Sequence, residues 1–129
     1  MKPQEFLETA NRLSSSTHEA DLRSAISRAY YAAMHTAMDA LPQERKNSLR
    51  VNISSSHEQV IGAYDAWCKG LCQNRSDKRT IRDLLIKLKK NRKHADYTLD
   101  EALSSGMVED TIDGAGIVIS LASNFETNQ

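Results

Sequence analysis

The chain has 129 residues, 40% of them apolar, and its 17 basic and 17 acidic side chains give a formal net charge of zero. That length suits one domain, residues 1–129, with a single core. The charge balance argues against a general nucleic-acid coat protein, and no apolar run approaches the roughly 20 residues of a transmembrane helix. The opening Met-Lys-Pro-Gln-Glu-Phe is polar at once and lacks a signal peptide's apolar region, so a cytoplasmic protein with no membrane partner is expected.

Apolar periodicity predicts five helices and no strands. The first has Pro3 near its start, as a helix N1 position favours, and carries Phe6, Leu7, Ala10 and Leu13. The second is expected to open at Ser16, with Glu19 three residues on as a capping box. Its stripe runs Leu22, Ile26, Ala29, Ala33, Ala37 and Leu41 until Pro42 stops it. Residues 43–56 are polar and serine-containing, and a long loop is expected there.

Ser56 with Gln59 makes a further capping-box pattern, followed by Val60, Ile61, Tyr64, Trp67 and Leu71, with Gly70 near the end. The fourth helix begins near Ser76 and Asp77 and carries Ile81, Leu84, Leu85, Leu88 and Ala95. A turn at Thr98 with Glu101 leads through Gly106 to the last helix, marked by Val108, Ile112, Ala115, Ile119, Ala122 and Phe125. The consistent fold class is all-α, an antiparallel helical bundle.

Cys68 and Cys72 project from one helix face, where adjacent turns rarely suit a disulfide. Two thiols without a third ligand also make a poor zinc site, so core or half-buried thiols are expected. Nothing else has metal-ligand spacing, and Gly114-Ala-Gly116 lies inside a helical pattern without a third glycine. No metal and no cofactor are expected.

Polar residues are misplaced in two helices. On the second, Ser24, Arg28, Tyr31, His35 and Asp39 form a column roughly opposite the apolar stripe, flanked by small alanines that admit a close neighbour. Arg28 and His35 lie roughly 10 Å apart along the axis, within the span of one phosphodiester and a reaching arginine. On the fourth, Arg92 falls in the stripe of Ile81, Leu84, Leu85 and Leu88, where a guanidinium needs a partner or a route to water. Asp96, one turn later, is the local candidate. The charge is also uneven. Between Lys78 and Lys93 stand eight basic residues against one acid, while Ala95 to Gln129 holds seven acids and no Lys or Arg. A basic face and an acidic face suit self-association or a phosphate-bearing partner, with Lys89 and Lys93 beside Arg92.

Arg28-Ala-Tyr-Tyr-Ala-Ala-Met-His35, followed much later by Arg92-Lys-His-Ala-Asp-Tyr97, resembles an uncharacterised branch of the HEPN superfamily. In that branch a helix reading Tyr-Tyr-Ala-Ala-Phe-His is paired with a downstream Arg preceding Ala-Asp-Tyr. The resemblance runs from about Glu5 to Phe125 and implies a four- or five-helix up-and-down bundle that forms a homodimer. Many members of the superfamily are metal-independent ribonucleases with an Arg-x(4–6)-His motif. Others are inactive helical adaptors for a minimal nucleotidyltransferase, and both kinds occur in toxin–antitoxin and antiphage defence systems.

No histidine follows Arg92 at the nuclease spacing, where the chain reads Asp96, Tyr97 and Thr98, although Arg28-x6-His35 fits the formula on an earlier helix. If the second and fourth helices meet, in one chain or across a dimer, His35 is the expected base, with Arg28 and Arg92 as electrophiles. Ser24, Tyr31, Lys89, Lys93, Asp96 and Tyr97 are the expected RNA- or partner-binding residues. Tyr97 stands near where related toxins carry a modifiable tyrosine, so the resemblance also implies adenylylation by a partner.

Overall fold

A computed structural model of the chain describes residues 1–47, 56–69, 75–104 and 106–126. Among them the protein is all-helical, with six helices and no strand. The helices are α1 (Pro3–Leu13), α2 (Glu19–Asp39), α3 (Gln43–Asn47), α4 (Ser56–Lys69), α5 (Arg75–Tyr97) and α6 (Met107–Glu126). None is long and apolar enough to cross a membrane.

Five of the six match the expected segments, and the sixth corrects the expected loop. The carbonyl of Pro42 accepts hydrogen bonds from the amides of Arg45 and Lys46, so the chain turns into α3 where a loop was expected. Residues 48–55 of that loop, and Gly70, Leu71 and Cys72, lie outside the described residues, as does the Ser56 side chain of the second capping box.

The start of α2 is also corrected. The N-cap is His18, whose carbonyl accepts from the amides of Asp21 and Leu22. Ser16 lies before the helix, and its hydroxyl donates to Asp21 at 2.6 Å. Glu19 is engaged elsewhere, accepting from Arg23 at 3.1 Å.

The core is organised around α2, which packs against α1, α5 and α6 and more sparsely against α4. Ala25, Ala29, Ala32, Ala33 and Ala37 are all fully buried, as are Ile26 and Tyr30. Alanine favours the helical backbone and leaves room for neighbours on several sides, while each large apolar side chain buried stabilises by roughly 2 kcal/mol. α6 approaches α5 closely at Gly114, where an added Cβ would meet the Leu88 side chain at 3.1 Å. Asn91 donates across the same seam to the Thr111 hydroxyl.

α4 is fixed from both sides. Tyr64, fully buried, donates its hydroxyl to the Ala37 carbonyl at 2.6 Å, and burial pushes its phenol above the ordinary range. Toward α5, Glu58 pairs with Lys89 and Asp65 with Arg82, so the two helices run in opposite directions. Cys68 is buried, as expected of a core thiol. Lys78, at 4% exposure, places its ammonium 3.9 Å from the Trp67 ring centroid and 5.7 Å from that of Phe125.

Arg23 ties the end of α5 to α2. Its guanidinium donates to the carbonyls of His94, Ala95, Thr98 and Glu101, and to Glu19. A helix C-terminus leaves its last carbonyls without intrahelical partners, and a cation there also complements the helix dipole. Arg23→Ala is expected to lower the unfolding free energy by about 3 kcal/mol, read by urea denaturation. A loss below about 1 kcal/mol would show that solvent satisfies these carbonyls equally well.

Candidate functional site

Tyr30 lies on the buried side of α2, and a buried phenol requires a hydrogen-bond partner. It finds His57 in the first turn of α4. The hydroxyl is 2.6 Å from Nδ1, and the two rings stack with centroids 5.3 Å apart. Burial raises the Tyr30 phenol far above its usual range, against a smaller lowering by Arg92, so the hydroxyl keeps its proton. The His57 imidazole moves the other way. Burial lowers its pKa first, and the charges of Arg92, Lys89 and His35 lower it further, leaving a neutral ring at pH 7.

Arg92 supplies the main charge. It is 9% exposed, and its Nε has no hydrogen-bond partner among the described residues. Its closest anion is Asp96, whose Oδ2 lies 3.5 Å from an Nη; the same carboxylate is 3.4 Å from the Ser27 hydroxyl. The guanidinium carbon lies 5.4 Å from the Tyr30 ring centroid and 5.9 Å from that of Tyr97. Asp96 is thus the local partner, in a loose pairing. An arginine holds five donors and cannot lose its charge, so this one is under-used.

His57 and Arg92 border an open cleft of about 380 Å³ between three helices. Tyr31 comes from α2, His57 and Glu58 from α4, and Lys89, Arg92, Lys93 and Tyr97 from α5. Lys89 is tied to Glu58 at 3.2 Å, Lys93 is exposed, and the Tyr97 ring is 74% exposed. Under-used guanidinium donors, an adjacent ammonium and a neutral imidazole can hold an oxyanion and move a proton near neutral pH. Among the described residues no group of three or more His, Cys, Asp or Glu side chains is placed to hold a metal ion.

Tyr31, Lys89, Arg92, Lys93 and Tyr97, all expected from the sequence, thus share one cleft, with Asp96 paired to Arg92 beside it. The rest of the α2 column is partly covered by α1. His35 stacks on Phe6 at 5.9 Å and lies 6.2 Å from the Tyr31 ring. Arg28 sits 5.8 Å above the opposite partner of that stack, Phe6, in a separate depression shared with Glu5, Glu8 and Arg12. Ser24 is exposed one turn earlier. The packing of α2 on α5 does bring the Arg28–His35 helix to the Arg92 helix.

The eight basic residues do not form one face. Lys78 and Arg92 are buried, and Arg82 and Lys89 are ion-paired to α4, while Arg79, Lys87, Lys90 and Lys93 are exposed. Tyr30, His57 and Glu58 were missed as site residues. For Tyr30 the available signal was a phenol on the buried side of a helix. No protein-family model, curated protein or solved structure matches the chain.

The electrostatics of His57 set a pH dependence. Because its folded pKa lies below the unfolded value of about 6.5, the unfolded chain binds the extra proton first as pH falls. The His57 contribution to stability is complete above that value and is lost on acidification through the folded pKa. Denaturation at about pH 7.5 and 5.5 should show wild type losing more stability than His57→Gln. Equal losses would mean that the imidazole titrates as it does in the unfolded chain.

Proposed function

We propose that the chain is a HEPN-like, cytoplasmic component of a toxin–antitoxin or antiphage defence module. In this reading it is an antiparallel helical bundle that pairs with a second copy, binds RNA through phosphate groups held in the Arg92 cleft, and cleaves that RNA without a metal. The observation that carries the reading is Arg92 itself, nine-tenths buried in a cleft wall, with Nε unpartnered and one loose carboxylate contact. An arginine in that condition is well suited to a phosphate, which accepts two parallel hydrogen bonds from its fork.

RNA is favoured over a lone anion by what surrounds the arginine. Tyr31 and the exposed Tyr97 ring border the cleft, and unstacked bases pack on such rings with little regard to sequence. Lys89 and Lys93 extend the positive charge along α5. The resemblance of the Arg28–His35 and Arg92–Tyr97 segments to HEPN proteins supplies the biological setting. A second reading, a non-catalytic adaptor for a minimal nucleotidyltransferase, is favoured by the absence of a histidine at the nuclease spacing after Arg92, and the exposed Tyr97 suits a modifying partner.

Fluorescence anisotropy with an end-labelled single-stranded RNA tests the cleft. Wild type should bind with an affinity that falls as salt rises, and Arg92→Met should weaken binding at least about tenfold. Methionine suits the buried stem, and replacing a buried charge with an apolar residue is often tolerated by the fold. Equal binding by wild type and a folded Arg92→Met protein would remove the cleft from the account.

A further inference from the structure

We infer that His57 is the proton-transfer residue of the cleft and that Tyr30 is its positioning residue. The inference rests on the reading of the cleft as an RNA site and names the group that would act on a ribose 2′-hydroxyl there.

The chain has four histidines. His18 is the exposed N-cap of α2, and His94 lies 3.8 Å from Glu101. His35 is stacked on Phe6. His57 is the histidine in the cleft wall, on the same cavity as Arg92, Lys89 and Lys93. Its Nδ1 is engaged by Tyr30, and Tyr31 meets the ring edge-on at 5.9 Å, so the imidazole is held in orientation with Nε2 left for a ligand.

The choice of a tyrosine as anchor matters chemically. A phenol hydroxyl both accepts and donates. When Nε2 is the base, Nδ1 carries the proton and donates to the Tyr30 oxygen; when Nε2 carries the proton, the hydroxyl can donate to Nδ1. The fully buried Tyr30 therefore anchors the ring in either neutral tautomer, whereas a carboxylate there would favour the charged imidazolium. Burial first, and then the charges of Arg92 and Lys89, disfavour protonation of the ring, and both cations line the same cleft.

In the step that follows, His57 Nε2 takes the proton of the 2′-hydroxyl as its oxygen forms a bond to the adjacent phosphorus. The bond from phosphorus to the 5′-oxygen breaks, and that oxygen takes a proton from water. The products are a 2′,3′-cyclic phosphate and a 5′-hydroxyl, and His57 returns its proton to solvent. Arg92 holds the non-bridging oxygens, where negative charge builds.

The test uses an end-labelled single-stranded RNA and its all-2′-deoxy counterpart, with EDTA present, and measures binding and cleavage separately. Wild type should bind the RNA and cut it to a cyclic-phosphate end, leaving the deoxy strand intact. His57→Gln should bind within about twofold of wild type and lose at least about 100-fold in cleavage. Added imidazole should partly restore cleavage by His57→Ala, which a merely structural role would not allow. Tyr30→Phe should lower the cleavage rate about tenfold with RNA affinity unchanged. Cleavage indifferent to His57→Gln, or RNA bound by wild type but never cut, overturns this inference and leaves the RNA-binding reading standing. Absence of binding by wild type overturns the reading of the cleft on which both rest.

Discussion

Small side chains on the central helix set the terms for the rest of the molecule. With Ala25, Ala29, Ala32, Ala33 and Ala37 all fully buried, α2 can be covered from several directions at once. α1, α5 and α6 come close, and little room remains between them for a large polar group. Of the polar groups that α2 carries inside, Arg23 goes to the end of α5 and Tyr30 to the edge where α4 meets α5. Tyr30 reaches that edge and meets His57, and Arg92 reaches it from α5. The cleft is the place where a tightly packed core runs out of apolar partners.

Within the cleft the groups depend on one another. Burial, and after it the charge of Arg92, lowers the His57 pKa, and the same charge opposes the effect of burial at Tyr30. Asp96 lies on the same helix and answers only part of the guanidinium. The Glu58–Lys89 pair at the rim has a largely exposed carboxylate and contributes at most about 1 kcal/mol, so it orders the mouth more than it stabilises the fold. Arg23, by contrast, spends its donors on carbonyls around the end of α5. The two buried arginines thus differ: one is satisfied inside the chain and the other retains donor capacity for a ligand.

How much of this was legible in the sequence follows from the physics of each signal. The helices were readable because their apolar residues recur at the helical period, and Arg92 was readable because a permanent charge interrupts such a stripe. The covering of the Tyr31–His35 column by Phe6 was not readable, since a helix rich in alanine presents no sharp edge between its buried and exposed sides. Half of the basic run stays exposed on one side of α5 (Arg79, Lys87, Lys90 and Lys93), while the turn of about 100° per residue sends Lys78 onto Trp67 and Arg82 onto Asp65. His57 gave no periodic signal at all. It stands at a helix start after a polar stretch, and its partner Tyr30 is 27 residues away, so only the folded chain brings the pair together.

The central claim is that the guanidinium of Arg92 holds a phosphate in the cleft, and the NMR resonance of its buried Nε–H group reports on that guanidinium. On titration with a short single-stranded RNA, this resonance should move as the Nη groups of the same guanidinium enter hydrogen bonds with the phosphate. A resonance that stays unchanged while RNA binds elsewhere on the protein would contradict the account and make Arg92 a structural residue of the core.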